Sequence, residues 1–117
     1  MNKRRIPFPN EKLPEAAIAR YVGNTYTQHN PGAADGKEAF IKFVKSFAAA
    51  NPQAHIEIKR VVAEDDLVVT HGHFRVNEHD RGFAVMDIFR LQDGKVVEHW
   101  DVIQVIPPMS KNGNSMF

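Results

Sequence analysis

GFAVMDIFRLQDGKVVEHWDVIQVI, residues 82–106, reads as two strands closed by a tight turn. The strands are expected over Gly82–Leu91 and Lys95–Ile106, and Pro107-Pro108 stops the second. Asp93-Gly94 between them is a strong hairpin signal, because both residues tolerate the positive φ of a two-residue turn. Each strand carries a carboxylate among residues that favour burial. Asp87 interrupts Phe-Ala-Val-Met-Asp-Ile-Phe, and Asp101 sits in Glu-His-Trp-Asp-Val-Ile. A buried carboxylate is costly unless it is paired, hydrogen-bonded or protonated, so these two are the first candidates for chemistry.

The register of this hairpin decides whether the two carboxylates share a face. A strict two-residue loop pairs Gln92 with Lys95 and sends them to opposite faces. A three-residue loop with Gly94 in a left-handed bulge pairs Leu91 with Lys95 instead. Asp87 then lies opposite His99, and Asp101 opposite Val85. This second register gathers Phe83, Val85, Asp87, Phe89, His99, Asp101 and Ile103 on one face. It leaves Met86, Ile88, Trp100, Val102 and Ile106 on the other, with Glu98 diagonal to Arg90. The cleaner sorting favours it, and a one-residue slip would reverse every side chain.

Upstream, Ala54–Val62 and Leu67–Val76 read as two more strands around a Glu64-Asp65-Asp66 turn. His71 and His73 share a face by alternation. Such a pair can chelate a transition metal when a third ligand joins it, and His99 or Asp87 could be that ligand. No second ligand cluster stands at a recognisable spacing, so no metal is expected and a pocket-lining role is the better functional reading. The plain structural alternative is two histidines bonded to neighbouring carboxylates.

Before the strands, Phe40, Phe43, Val44 and Phe47 recur at helical spacing, and Asn51-Pro52 ends that helix. Asp35-Gly-Lys-Glu38 reads as its capping box. Thr25 to Asp35 reads as a loop carrying Tyr26, His29 and Asn30. An earlier helix is expected from Leu13 to Val22, with Pro14 in its first turn and Gly23-Asn24 as its stop. Residues 1–10 look like a loose arm, residues 11–108 like one domain and residues 109–117 like a polar tail. Helices followed by an antiparallel meander make an α+β pattern.

Composition narrows the function classes. The chain has 117 residues, 43% apolar and 25% charged, and a formal net charge of +1. That balance provides no broad field for nucleic acid or an anionic membrane. Lys3-Arg4-Arg5 reads as a solvated terminus. There is no cysteine, which excludes disulfides, thiolate catalysis and cysteine-bound zinc. No apolar run approaches the roughly 18 residues of a membrane span, and no signal-peptide core is visible. The expectation is a cytoplasmic protein without nucleic-acid or membrane partners.

The ordered string Thr-Tyr-Thr-Gln-His-Asn-Pro (25–31), Asp-Gly-Lys-Glu-Ala-Phe (35–40), Asp-Ile-Phe-Arg (87–90) and Asp-Gly-Lys-Val-Val-Glu-His-Trp-Asp (93–101) resembles the SnoaL-like polyketide cyclase family. This is a branch of the nuclear-transport-factor-2-like superfamily, and the likeness runs from about Glu11 to Ile106. The resemblance implies an α+β cone: a curved antiparallel sheet wrapped by N-terminal helices, usually dimeric. It implies aldol condensation or cyclisation on a hydrophobic, carbonyl-bearing small molecule, with no metal or organic cofactor. The family's acid/base carboxylate on the last long strand matches Asp101, and the polar partner on the preceding strand matches Asp87. Tyr26, His29 and Asn30 fall where the family lines its pocket mouth, and His71, His73 and His99 are added as substrate-binding candidates. Epoxide hydrolases of the same fold place Arg two residues before Asp on one strand; here Val85 precedes Asp87, which argues against that activity. The alternative to an enzyme is a non-catalytic ligand-binding or dimeric accessory domain. The chain is short for a closed cone, and an apolar face of the extent of Met86, Ile88, Trp100, Val102 and Ile106 suggests a homodimer with Trp100 in or beside the interface.

Overall fold

The computed structural model describes residues 4–7 and 20–117. Its elements are β1 (Arg4–Pro7), β2 (Val22–Gln28), α1 (Lys37–Ala50), β3 (His55–Glu64), β4 (Leu67–Arg75), β5 (Phe83–Gln92) and β6 (Lys95–Val105). The strands form one six-stranded sheet in the order β1-β3-β4-β5-β6-β2, with β1 a four-residue piece at one edge. The four long strands lie within a residue or two of their expected bounds, and together they form the expected antiparallel meander.

Several expectations change. The sheet is mixed, because β2 runs parallel to β6. The segment expected as a loop from Thr25 is therefore strand as far as Gln28. The arm expected to be loose contributes β1, which pairs antiparallel with β3. Finally, Asp35 does not cap the helix. The N-cap is Gly36, at φ 96°, without a side-chain hydrogen bond. Asp35 Oδ1 instead accepts from the Gln28 backbone N–H at 2.8 Å, tying the end of β2 to the helix entrance. Of the helix expected over Leu13–Val22, Arg20 and Tyr21 are helical and Val22 already belongs to β2, while the stretch before Arg20 lies outside the described residues.

α1 ends as expected, with the Asn51 backbone N–H donating to the Phe47 carbonyl at 2.8 Å. Its apolar stripe packs on one face of the sheet. Val44 is 1% exposed and forms a core with Val22 and Tyr26, flanked by Phe40, Ile41 and Val96. Phe47 continues this contact onto Phe74, and Phe74 onto Phe83. The side covered by α1 is called the inner face below.

The hairpin register combines both sequence-based alternatives. The turn is the strict two-residue one: Gln92 pairs with Lys95, and Asp93 and Gly94 have φ of 53° and 77°. A bulge then follows, placed at Val97 rather than at Gly94. Leu91 pairs with Val96 and Arg90 with Glu98, so Val97 has no partner in β5. Val97 is buried, and its Cγ1 would stand 2.8 Å from a Cβ at position 23, so Gly23 makes room for it. One extra residue restores the parity that a two-residue turn alone would break. Asp87 thus pairs directly with Asp101, Phe89 with His99, and Arg90 with Glu98.

Candidate functional site

Three inner-face side chains meet at the middle of β5 and β6. His99 Nε2 lies 2.8 Å from Asp87 Oδ1 and 3.8 Å from Asp101 Oδ2. His99 is 8% exposed, and both aspartates are largely covered. The rings of Tyr26 and Phe89 lie beside the imidazole, with centroids at 6.3 and 5.2 Å.

β2 supplies the second half of the site. Gln28 pairs with His99 in the parallel ladder, and the His29 N–H donates to the His99 carbonyl at 2.9 Å. Alternation then sends Tyr26, Gln28 and Asn30 inward and His29 outward. Asn30 Nδ2 donates to both oxygens of Asp101, at 2.8 and 3.0 Å, while its own Oδ1 accepts from the Gly32 N–H at 2.7 Å. Gln28 Oε1 accepts from the Asn30 N–H at 3.1 Å and lies 2.8 Å from His99 Nδ1. Among the described residues, no buried side-chain polar atom is left without a partner.

Tyr26 stacks on Phe40 at 4.8 Å beneath this network. Burial pushes its phenol well above the ordinary tyrosine range, the negative charge of Asp87 adds to that, a hydrogen bond with Gln28 works against it, and Asp101 adds a smaller push upward.

Of the residues singled out from the sequence, Asp87, Asp101, His99, Tyr26 and Asn30 come together. His29, His71 and His73 do not join them. His29 stands on the outer face, stacked on Trp100 at 4.7 Å, with Nε2 2.7 Å from Glu98. Glu98 also accepts from Arg90 at 2.7 Å, and these bonds, His29 first, hold its carboxyl below the ordinary range. His71 pairs with Met86 and His73 with Ala84, so both face outward, away from Asp87. There the C-terminal tail folds back: Phe117 stacks on His73 at 4.6 Å and approaches His71 at 5.4 Å, and Lys59 Nζ stands 5.2 Å from the same ring. The position opposite Asp87 on β4 belongs to Thr70. Gln28 was not singled out, although reading 25–30 as a strand would have placed it in line with Tyr26 and Asn30.

The donor atoms of Asp87, His99 and Asp101 lie within 4.8 Å of one another, a spacing that would suit a divalent ion. The same arrangement places an imidazole between two carboxylates, which suits proton transfer without any metal. Among the described residues, no helix is long and apolar enough to cross a membrane.

The model of the SnoaL-like domain matches residues 11–99, most of the chain. The chain belongs to this family. The match includes Asp87 and His99 and stops two residues before Asp101. A solved protein from Bacillus cereus ATCC 10987, assigned as a polyketide cyclase, is 26% identical with a TM-score of 0.63; the alignment covers 80% of this chain but only 63% of that one. One from Acidithiobacillus ferrooxidans, with the same assignment, is 18% identical, covers 83% and 78%, and has a TM-score of 0.64. A protein from Agrobacterium tumefaciens C58, assigned as an isomerase of the SnoaL-like family, is 9% identical, covers 82% and 85%, and has a TM-score of 0.66. No curated protein sequence matches. The architecture is thus the α+β cone of the nuclear-transport-factor-2-like fold.

Proposed function

We propose that this SnoaL-like domain binds a hydrophobic, carbonyl-bearing small molecule on the inner face and performs acid/base chemistry on it, as in aldol cyclisation or isomerisation. The observation that supports this is the direct cross-strand pairing of Asp87 with Asp101 around His99. Asp101 removes a proton from the carbon next to the carbonyl, and a donor on the His99–Asp87 side steadies the enolate oxygen. Asn30 holds both oxygens of Asp101 and so orients the base. Phe83, Val85, Phe89 and Ile103 on the same face suit an apolar ligand. General acid/base help of this kind is typically worth about 10²–10⁴ in rate. The names of the Bacillus and Agrobacterium relatives point the same way.

A panel of β-dicarbonyl compounds in heavy water tests this reading, with α-proton exchange followed by NMR. Wild-type protein should accelerate exchange on at least one compound, and Asp101→Asn should lose about 10²-fold or more of the acceleration. Binding without exchange, with affinity indifferent to Asp101→Asn, would establish the non-catalytic ligand-binding domain instead.

The proposal extends to a homodimer across the outer face. Met86 is 42% and Val102 72% exposed, beside Trp100. A self-complementary contact between two copies would cover them. Val102→Glu should then give a monomer in light scattering; a wild-type monomer at micromolar concentration would rule the dimer out.

A further inference from the structure

We infer that Gln28 holds His99 in its Nδ1–H form, so that a second proton closes the contact between His99 Nε2 and Asp87, and that this is the proton the site hands to a substrate oxygen. The last clause rests on the function proposed above; the first two do not.

The argument begins with the Gln28 amide. A backbone N–H can only donate, and that of Asn30 points at Gln28 Oε1 from 3.1 Å. This identifies the amide oxygen. The same oxygen lies 2.8 Å from His99 Nδ1. A carbonyl oxygen can only accept, so Nδ1 must carry a hydrogen. Gln28 is held on both sides: its own N–H donates to Asp35 Oδ1 at 2.8 Å, and the next N–H, of His29, donates to the His99 carbonyl at 2.9 Å.

A neutral imidazole has one N–H, and Gln28 has taken it. Nε2 would then meet Asp87 Oδ1 at 2.8 Å as a bare lone pair, with a second carboxylate oxygen, of Asp101, at 3.8 Å. Two acceptors do not approach to hydrogen-bond distance without a hydrogen between them. His99 is 8% exposed, so water is poorly placed to bridge the contact. The pair therefore holds one proton more than a neutral histidine beside an ionised aspartate. It is an imidazolium facing a carboxylate, or an imidazole accepting from a carboxylic acid. Among the described residues, the ionisable groups facing this proton are Asp87, Asp101 and Tyr26.

The resulting step balances. Asp101 takes the proton from carbon, and the Nε2 proton goes to the oxygen on which charge accumulates. The imidazole is left neutral, with its Nδ1–H still on Gln28, and Asp87 is left ionised. One proton is received, one is delivered, and no electron leaves the system. Gln28 touches no reacting atom and is a positioning residue.

The experiment is NMR of the imidazole nitrogens in the full-length protein labelled with ¹⁵N-histidine, near neutral pH and without substrate. The expected wild-type pattern for His99 is a protonated-type Nδ1, and an Nε2 that is protonated or shares a proton. Gln28→Leu should lose the Nδ1 hydrogen and leave a single Nε2–H directed at Asp87. Gln28→Glu, which keeps an acceptor, should restore the wild-type Nδ1 signal. A bare Nδ1 in the wild type overturns the inference, as does a folded Gln28→Leu protein with an unchanged His99 pattern. If Gln28→Leu does not fold, the wild-type pattern decides alone. The expected pattern in a protein that exchanges no α-proton would keep the tautomer lock while removing the hand-off to substrate and the proposed activity.

Discussion

The inner and outer faces of the sheet are made from alternate residues of the same strands, yet they are finished differently. On the inner face, Asp87, His99 and Asp101 are closed over by the Tyr26 ring and by Gln28 and Asn30, whose partly buried hydrogen bonds run from 2.8 to 3.1 Å. On the outer face, Glu98 bonds to Arg90 and to His29 nearer the solvent, and Val102 lies open. The inner network is ordered by a parallel strand that carries little apolar signal. The outer one leans on the stacking of His29 on Trp100, while elsewhere on that face the tail covers His71 and His73. Polar precision here comes from the backbone ladder that brings β2 beside β6.

Parity is where the comparison breaks most easily. Deleting Val97 while keeping the Asp93-Gly94 turn should exchange the faces of β6 beyond the bulge, separating Asp101 from Asp87. A loss of about 4 kcal/mol or more is expected, at the exceptional end for a single change, with the His99 imidazole signals collapsing together. Urea unfolding and the same NMR experiment measure both. Next in size is the contrast between two valines. Val44→Ala, beneath the inner face, should cost about 2 kcal/mol, because two buried methyl groups are removed. Val102→Ala on the outer face should stay within about 0.5 kcal/mol in a monomeric protein, as for most exposed sites. Equal urea midpoints would erase the distinction between the faces.

Two pH experiments sharpen the comparison further. The folded-state pKa of Tyr26 lies above its unfolded value of about 10. Its neutral form is thus the one the fold prefers. That contribution is full below about pH 10 and declines as the pH climbs toward the folded value. Tyr26→Phe should flatten this alkaline decline in stability, measured by urea midpoints across the range. Glu98 behaves in the opposite sense, its folded pKa being depressed by His29 first and then Arg90. Its contribution is present above about pH 4.3 and is lost as the pH falls through the folded value. Glu98→Gln should give the smallest effect of the series, shrinking further in high salt, because exposed pairs are screened.

The sequence made the meander legible because β3 to β6 carry apolar residues in recognisable runs between turn residues. It also made Asp87 and Asp101 legible, since a carboxylate in an apolar strand requires a reason. Their shared face followed from the sorting of residues, although the register that achieves it was different. Val96-Val97 is uniformly apolar, so nothing in the letters marks the extra residue. β2 was hidden for the converse reason. Tyr26, Gln28 and Asn30 face inward but are mostly polar, and a strand stabilised by side-chain hydrogen bonds has no hydrophobic alternation to display. His71 and His73 lie in the expected strand but on the other face, because alternation tells which residues are neighbours but not which side they take. Asp35 shows that a capping pattern does not fix a carboxylate's partner: it accepts from the Gln28 N–H of the strand, and the helix begins at Gly36 without a side-chain cap.

The parallel pairing of β2 with β6 also has a consequence for the order of events in folding. The bonds from Gln28 to His99 and from Asn30 to Asp101 each join residues 71 positions apart. The β5–β6 hairpin, by contrast, closes across a two-residue turn. Long-range closure costs more chain entropy and comes later than local pairing. During synthesis, Gln28 and Asn30 emerge long before their partners exist. The site therefore reports completion: a chain stopped short of residue 95 has β2, α1 and most of the sheet's letters, but neither Gln28 nor Asn30 has its partner.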